Sequence, residues 1–91
     1  MPLPLTYAAY VNKDTATDDT ARRFEATRVY LRDVIIIVED YAQVFGDSGG
    51  QTYPVGVGET IGFTQIDIAT LYFKNANAGD DGTVHILGVE M

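Results

Sequence analysis

The sequence predicts an all-β fold, a small antiparallel β-sandwich or jelly-roll-like barrel of about seven or eight short strands. Three observations point there. Arg32 to Glu39 encloses five consecutive β-branched apolar residues, Val34 to Val38, and branching at Cβ suits a pleated surface and crowds a helix. Elsewhere, short apolar alternations are separated by Gly, Pro, Asn and Asp about every 8 to 12 residues, the spacing of sandwiches and barrels. Sustained helical periodicity is missing, a short turn around Thr15 to Arg22 excepted.

Taken in order, Met1 to Pro4 is an extended amino-terminal arm, since Pro2 and Pro4 forbid helix and favour polyproline or edge-strand backbone. Residues 5–91 then form a single β-sandwich domain. Leu5 to Val11 reads as the first strand, with Leu5, Tyr7, Ala9 and Val11 on one side. Asn12 to Ala21 is polar and reads as an exposed loop. From Arg22 onward the pattern is strand-like through Phe24, Ala26, Val29, Tyr30 and Leu31. Unbroken alternation from Val29 and Leu31 would bury Asp33, so a bend near Arg32 and Asp33 is expected to bring Val34, Ile36 and Val38 onto that face.

Glu39-Asp40 breaks the run, Tyr41 to Phe45 forms the next strand, and Gly46 to Gly50 is a glycine-rich turn. Gln51 to Gly58 alternates Tyr53, Val55 and Val57, and Pro54 marks it as an edge. Glu59 to Phe63 and Ile66 to Asn75 read as two further strands. Asn77 to Gly82 has the residues of a hairpin turn, and Thr83 to Val89 closes the chain as a strand.

A strand apolar on both faces needs two covers. One face of Val34 to Val38 fills the core. The other, either Val34, Ile36 and Val38 or Ile35 and Ile37, needs another sheet, a returning loop or a neighbouring subunit. If that second side lies bare to water in an isolated subunit, or is closed entirely by the subunit's own chain, the case for an assembly component drawn from this run loses its physical footing.

Composition narrows the classes. The chain has 91 residues, no cysteine, 46% hydrophobic content and mean hydropathy near zero. A globule of this size buries only about 60 to 65% of its unfolded surface, so partners would add useful stability. Disulfides and Cys metal sites are excluded. No apolar run approaches the ~20 residues of a membrane helix, and Met-Pro-Leu-Pro-Leu lacks the basic leader and long apolar stretch of a signal peptide. Neither a membrane nor secretion is expected. The net charge of −7 repels phosphate backbones and disfavours nucleic acid. Four arginines, Arg22, Arg23, Arg28 and Arg32, stand against Glu25 alone in a local basic segment. They either meet an acidic partner or, on the plainer reading, pair with the chain's own acids or sit in water.

The chemical motifs each have a plainer explanation. Gly46-Asp-Ser-Gly-Gly50 matches the nucleophile segment of chymotrypsin-like proteases, but the single histidine, His85, follows Ser48 instead of preceding it, and two barrels do not fit in this length. A turn is expected there. Gly56, Gly58 and Gly62 imitate a dinucleotide fingerprint with the third glycine one residue late and no helix behind it. Asp14, Asp18 and Asp19 lack the glycine and terminal glutamate of a calcium loop. Glu39-Asp40 and Asp80-Asp81 read as solvated turn acids, and His85 as an exposed-face strand histidine. No catalytic, cofactor-binding or metal-ligating residue is assigned.

From about Val29 to Val89 the chain resembles small β-sandwich virion proteins of tailed bacteriophages, those that decorate the capsid or form its fibres. The resemblance rests on Val29-Tyr-Leu-Arg-Asp-Val-Ile-Ile-Ile-Val38, Val55-Gly-Val-Gly-Glu-Thr60, Ile66-Asp-Ile-Ala-Thr-Leu-Tyr72 and Gly82-Thr-Val-His-Ile-Leu-Gly88. It implies a non-enzymatic structural protein, present in many copies as a trimer or other symmetric homo-oligomer, on the outer capsid surface and made in the host cytoplasm. On that expectation its partners are itself and a major capsid protein, with interface residues drawn from Leu3, Leu5, Arg22, Arg23, Arg28, Arg32, Val34, Ile36 and Val38. A head-tail joining or tail role is the nearest alternative. A cellular sugar- or peptide-binding module using Tyr7, Tyr10, Tyr41, Tyr53 and Tyr72 is the other.

Overall fold

The computed structural model describes residues 8–91. Seven strands form two antiparallel sheets: β1 (Ala9–Asp14), β2 (Tyr30–Glu39), β3 (Gln43–Asp47), β4 (Gly50–Val55), β5 (Thr60–Asp67), β6 (Tyr72–Asn75) and β7 (Thr83–Glu90). The order is β1-β7-β2-β5 in one sheet and β4-β3-β6 in the other. Leu31, Val34, Ile36, Val38, Val84 and Ile86 from the first sheet meet Phe45, Val55 and Phe73 from the second, with Ile68 and Leu71 from the link between β5 and β6, in one buried core. The all-β sandwich is as expected.

The bend at Arg32 and Asp33 is present. Pairing of β2 with β7 slips between Arg32 and Ile35, and Asp33 takes a positive φ of 50°. That slip re-phases the strand, so Leu31 and then Val34, Ile36 and Val38 all face inward while Asp33 stays in water. The Pro54 argument also holds, since β4 is a sheet edge.

Three local expectations are corrected. Ile66 to Asn75 is not one strand: a 3-10 turn, Ile68–Thr70, interrupts it. The Asp67 carboxylate accepts from the Ala69 N–H at 3.1 Å and the Val29 N–H at 3.2 Å, a local alternative to the ladder that apolar alternation does not reveal. Residues 77 to 82 make no hairpin; they carry the chain from β6 in one sheet to β7 in the other. The first strand runs on to Asp14, and the polar segment after it is anchored instead of exposed throughout. Thr17 is buried, Arg22 bridges to Phe73 beside β6, and Phe24 stacks on Phe73 with ring centroids 5.0 Å apart. Leu5 to Tyr7, and the arm with Leu3, lie outside the described residues.

Candidate functional site

Sheet alternation sends every second side chain of β1, β7 and β2 away from the core. In register, Val11 stands opposite Leu87, Leu87 opposite Ile35, and Ile35 opposite Gly62. One apolar row therefore crosses the four-stranded sheet on its outer face. Val11 is 72% exposed, Leu87 50%, Ile35 48% and Ile37 38%. Together with His85 they border a shallow depression of about 280 Å³. The His85 imidazole is held by the Glu39 carboxylate, so the one histidine is an exposed-face strand residue, as expected.

This corrects the interface assignment. Val34, Ile36 and Val38 are 4%, 0% and 0% exposed; they belong to the subunit's own core, and Ile35 and Ile37 are the outward pair. Among the described residues neither a sheet nor a loop covers Ile35 and Ile37. Among the described residues the strand's second side thus lies half bare, and the argument for assembly drawn from the strand's two apolar faces loses its footing. What distinguishes this face is its continuity: four large aliphatics contributed by three adjacent strands, where apolar residues scattered singly would need no explanation.

Two of the four arginines lie against the chain's own acids. Arg22 Nε donates to Asp14 Oδ2 at 2.6 Å, and Arg28 lies 3.7 Å from Asp67. Arg23 donates to the Ala69 carbonyl at 3.2 Å and lies over the Tyr72 ring. Arg32 is half-buried within β2 between Val89 and Gln65. Arg22, Arg23 and Arg28 tie the 15–29 segment to the body of the domain.

Compared with known proteins, the chain matches no protein-family model and no curated sequence.

Geometry also disposes of the catalytic motifs. Ser48 sits at the tip of the β3–β4 hairpin beside Arg23 and Tyr72, and His85 lies on the outer face of the other sheet. They are not brought together. Gly46 is a hairpin requirement, since a Cβ there would come within 2.0 Å of the Gly50 carbonyl oxygen. At Gly56 the N–H donates to the Glu59 carboxylate at 2.6 Å, so an acid occupies the donor that a phosphate would need. Among the described residues no group of His, Asp and Glu is placed to hold a metal ion.

The acids of the supposed calcium loop are engaged in the fold. Asp14 pairs with Arg22, Asp18 Oδ1 accepts from the Asp19 N–H, and Asp19 Oδ1 accepts from the Gly79 N–H at 2.8 Å and the Asn75 amide at 2.9 Å. Those two donors, Gly79 first, hold the Asp19 carboxyl below its ordinary value of 3.8. Tyr10 is pushed up to about 12, by burial first and then by its hydrogen bond to Glu25.

A second apolar feature lies at the open seam of the sandwich, where edge strand β5 faces β3 and edge strand β4. Phe45, Tyr53, Ile61, Phe63 and Leu71 line a groove of about 500 Å³ there. Among the described residues Tyr53 is the one tyrosine of the stacking set that borders it, and Tyr10 is engaged by Glu25 and Tyr72 by Arg23. Val11 and Leu87 were not singled out by sequence. Only the cross-strand register makes them neighbours of Ile35.

Proposed function

We propose that the chain is a non-enzymatic structural subunit of a bacteriophage virion, a capsid decoration or cement protein that associates with its own copies and binds the major capsid lattice. The observation that carries this is the outward apolar row Val11, Leu87 and Ile35, with Ile37 beside it. A domain of this size gains stability by covering such a row with a symmetric neighbour. Repetition on a lattice then turns weak contacts into durable ones. An acidic surface suits the outside of a capsid, away from packaged DNA.

Two measurements test this. The mass of the purified protein in solution should be that of a trimer or another symmetric oligomer. Purified protein added to capsids lacking it should bind at regular stoichiometry and raise their resistance to heat or denaturant. A persistent monomer that leaves such capsids unchanged would remove the proposal. Binding at a single vertex would move the protein to a head-tail role.

One observation favours a different class. The groove at the seam, with Tyr53 63% exposed at its border, suits a peptide-binding module, in which an extended ligand lies along a sheet edge. A monomer that captures apolar extended peptides would support that reading over assembly.

A further inference from the structure

We infer that the seam between β5 and β4 receives an extended segment of a partner protein, paired antiparallel with the open edge of β5, which sets two apolar side chains and then a lysine or arginine, at alternate positions, into the groove and against Glu59.

The groove is where the sandwich is left unfilled. Ile61 and Phe63 of β5 pack against the core yet stay only partly buried. Tyr53 stands opposite Phe45 in the β3–β4 ladder, so the two rings share the inward face of that sheet. Phe45 is buried, whereas Tyr53 is mostly exposed. Side chains aimed between two sheets normally bury one another. Here they line about 500 Å³ of open space, room for the apolar side chains of an added strand.

The backbone beside that space is equally ready. The Val38 N–H donates to the Glu59 carbonyl at 3.3 Å, and β2 pairs with β5 from Ile37↔Thr60 through Val34↔Phe63. Antiparallel backbone groups alternate in direction. Ile61 and Phe63 therefore turn theirs toward β2, and Thr60 and Gly62 turn theirs to the open side. Among the described residues no strand pairs with that side, and such an edge is a template for strand addition. Facing residues of neighbouring strands share a face, so a segment added there sends the side chains opposite Ile61 and Phe63 into the groove.

Charge names the third position. Glu59 lies two residues before Ile61, the spacing that returns to the same face of an extended chain. It borders a polar recess of about 90 Å³ that shares Tyr53, Thr60 and Ile61 with the groove. One of its carboxylate oxygens accepts from the Gly56 N–H at 2.6 Å. Among the described residues Glu59 is the only charged side chain lining groove or recess, so the cation that complements it has to come from the occupant. An antiparallel segment meets Phe63, Ile61 and Glu59 in turn, and its own order is apolar, any, apolar, any, basic. A second copy suits the site less well, since each brings a net charge of −7 toward the same acid. The selected pattern rests on the peptide-binding reading of the groove and names the partner sequence which that reading left open.

The full-length protein is titrated with the capped peptide Thr-Val-Thr-Val-Thr-Lys-Thr, and with the same peptide carrying glutamate in place of lysine, while its amides are followed by nuclear magnetic resonance. At saturation the lysine peptide should slow exchange of the Thr60 and Gly62 amides by at least about tenfold. The glutamate peptide should bind about tenfold more weakly. Glu59→Gln keeps an acceptor for the Gly56 N–H and removes the charge, and should bring the two peptides to within about twofold of each other. Thr60→Pro deletes an outward N–H and spares the β2 ladder; it should abolish binding with an unchanged circular dichroism spectrum. Equal affinity for both peptides on the unsubstituted protein overturns the selected pattern and leaves a peptide groove standing. Binding that leaves the Thr60 and Gly62 amides unprotected overturns the edge pairing. Failure of both peptides to bind removes the peptide reading as well. Protection of those amides that rises with protein concentration in the absence of peptide makes a second copy the occupant and overturns the inference.

Discussion

Asn75 is a buried side chain on which separate segments of the fold converge. Its Oδ1 accepts from the Thr17 hydroxyl at 2.7 Å, and its Nδ2 donates to Asp19 at 2.9 Å and to Asp81 at 2.7 Å. Thr17 in turn accepts from the Gly82 N–H at 2.7 Å. One buried amide thereby ties the 15–29 segment, β6 and the crossover into β7. Removing it strands several polar partners at once, so Asn75→Ala should cost about 2 to 3 kcal/mol in urea unfolding. The acid Asp19 adds a pH signature. Its folded-state value lies below the unfolded one, so its contribution is whole above 3.8 and is lost as pH falls through the folded value. The thermal stability gap between the native protein and Asp19→Asn should narrow as pH drops below 3.8. Tyr10 has the opposite sign: raised from 10.0 to about 12, its contribution is whole below pH 10 and fades as pH climbs through 12. A tyrosinate absorbance titration should show one late-ionising ring that Tyr10→Phe removes.

Strand β2 shows what a sequence discloses at the scale of an element. Its bend was legible because Asp33 stood where continued alternation would have buried a carboxylate, and desolvating that charge costs far more than one bulge. The observed positive φ of Asp33 gives the bend a test: Asp33→Gly should be tolerated, and Asp33→Val should cost about 1 to 2 kcal/mol, because a β-branched side chain clashes in that region. The two faces separate equally well. Ile36→Asp buries a charge in the core and should abolish folding, whereas Ile35→Asp should leave the circular dichroism spectrum unchanged and alter the oligomeric mass. Other features were hidden for physical reasons. The turn at Ile68–Thr70 comes from side-chain hydrogen bonds of Asp67, which hydrophobic alternation does not register. The outer row is composed of residues far apart in sequence, made adjacent by register alone. Asn75 and Thr17 look like loop and edge polars until the sandwich closes around them.

At the scale of the whole molecule, the outer row and the charge pull against each other. Four half-exposed aliphatics amount to a few hundred Å² of apolar surface, short of the ~800 Å² per partner of a stable pairwise interface. Two copies meeting by this face alone should therefore bind weakly and depend on concentration, unless further contacts are recruited. Each copy also carries a net charge of −7, and Arg22 and Arg28 are drawn toward the chain's own acids, which leaves little positive surface to attract a sister copy. Like-charge repulsion between subunits is screened by salt, with a Debye length of about 30 Å at 0.01 M and about 8 Å at 0.15 M. Apolar contact is not weakened by that change. Self-association should consequently strengthen as salt rises from 0.01 to 0.15 M, by about tenfold in dissociation constant on sedimentation, and Leu87→Asp should shift the protein toward monomer at either salt. An association that instead weakens with salt would mean that opposite charges, and not the aliphatic row, hold the copies together.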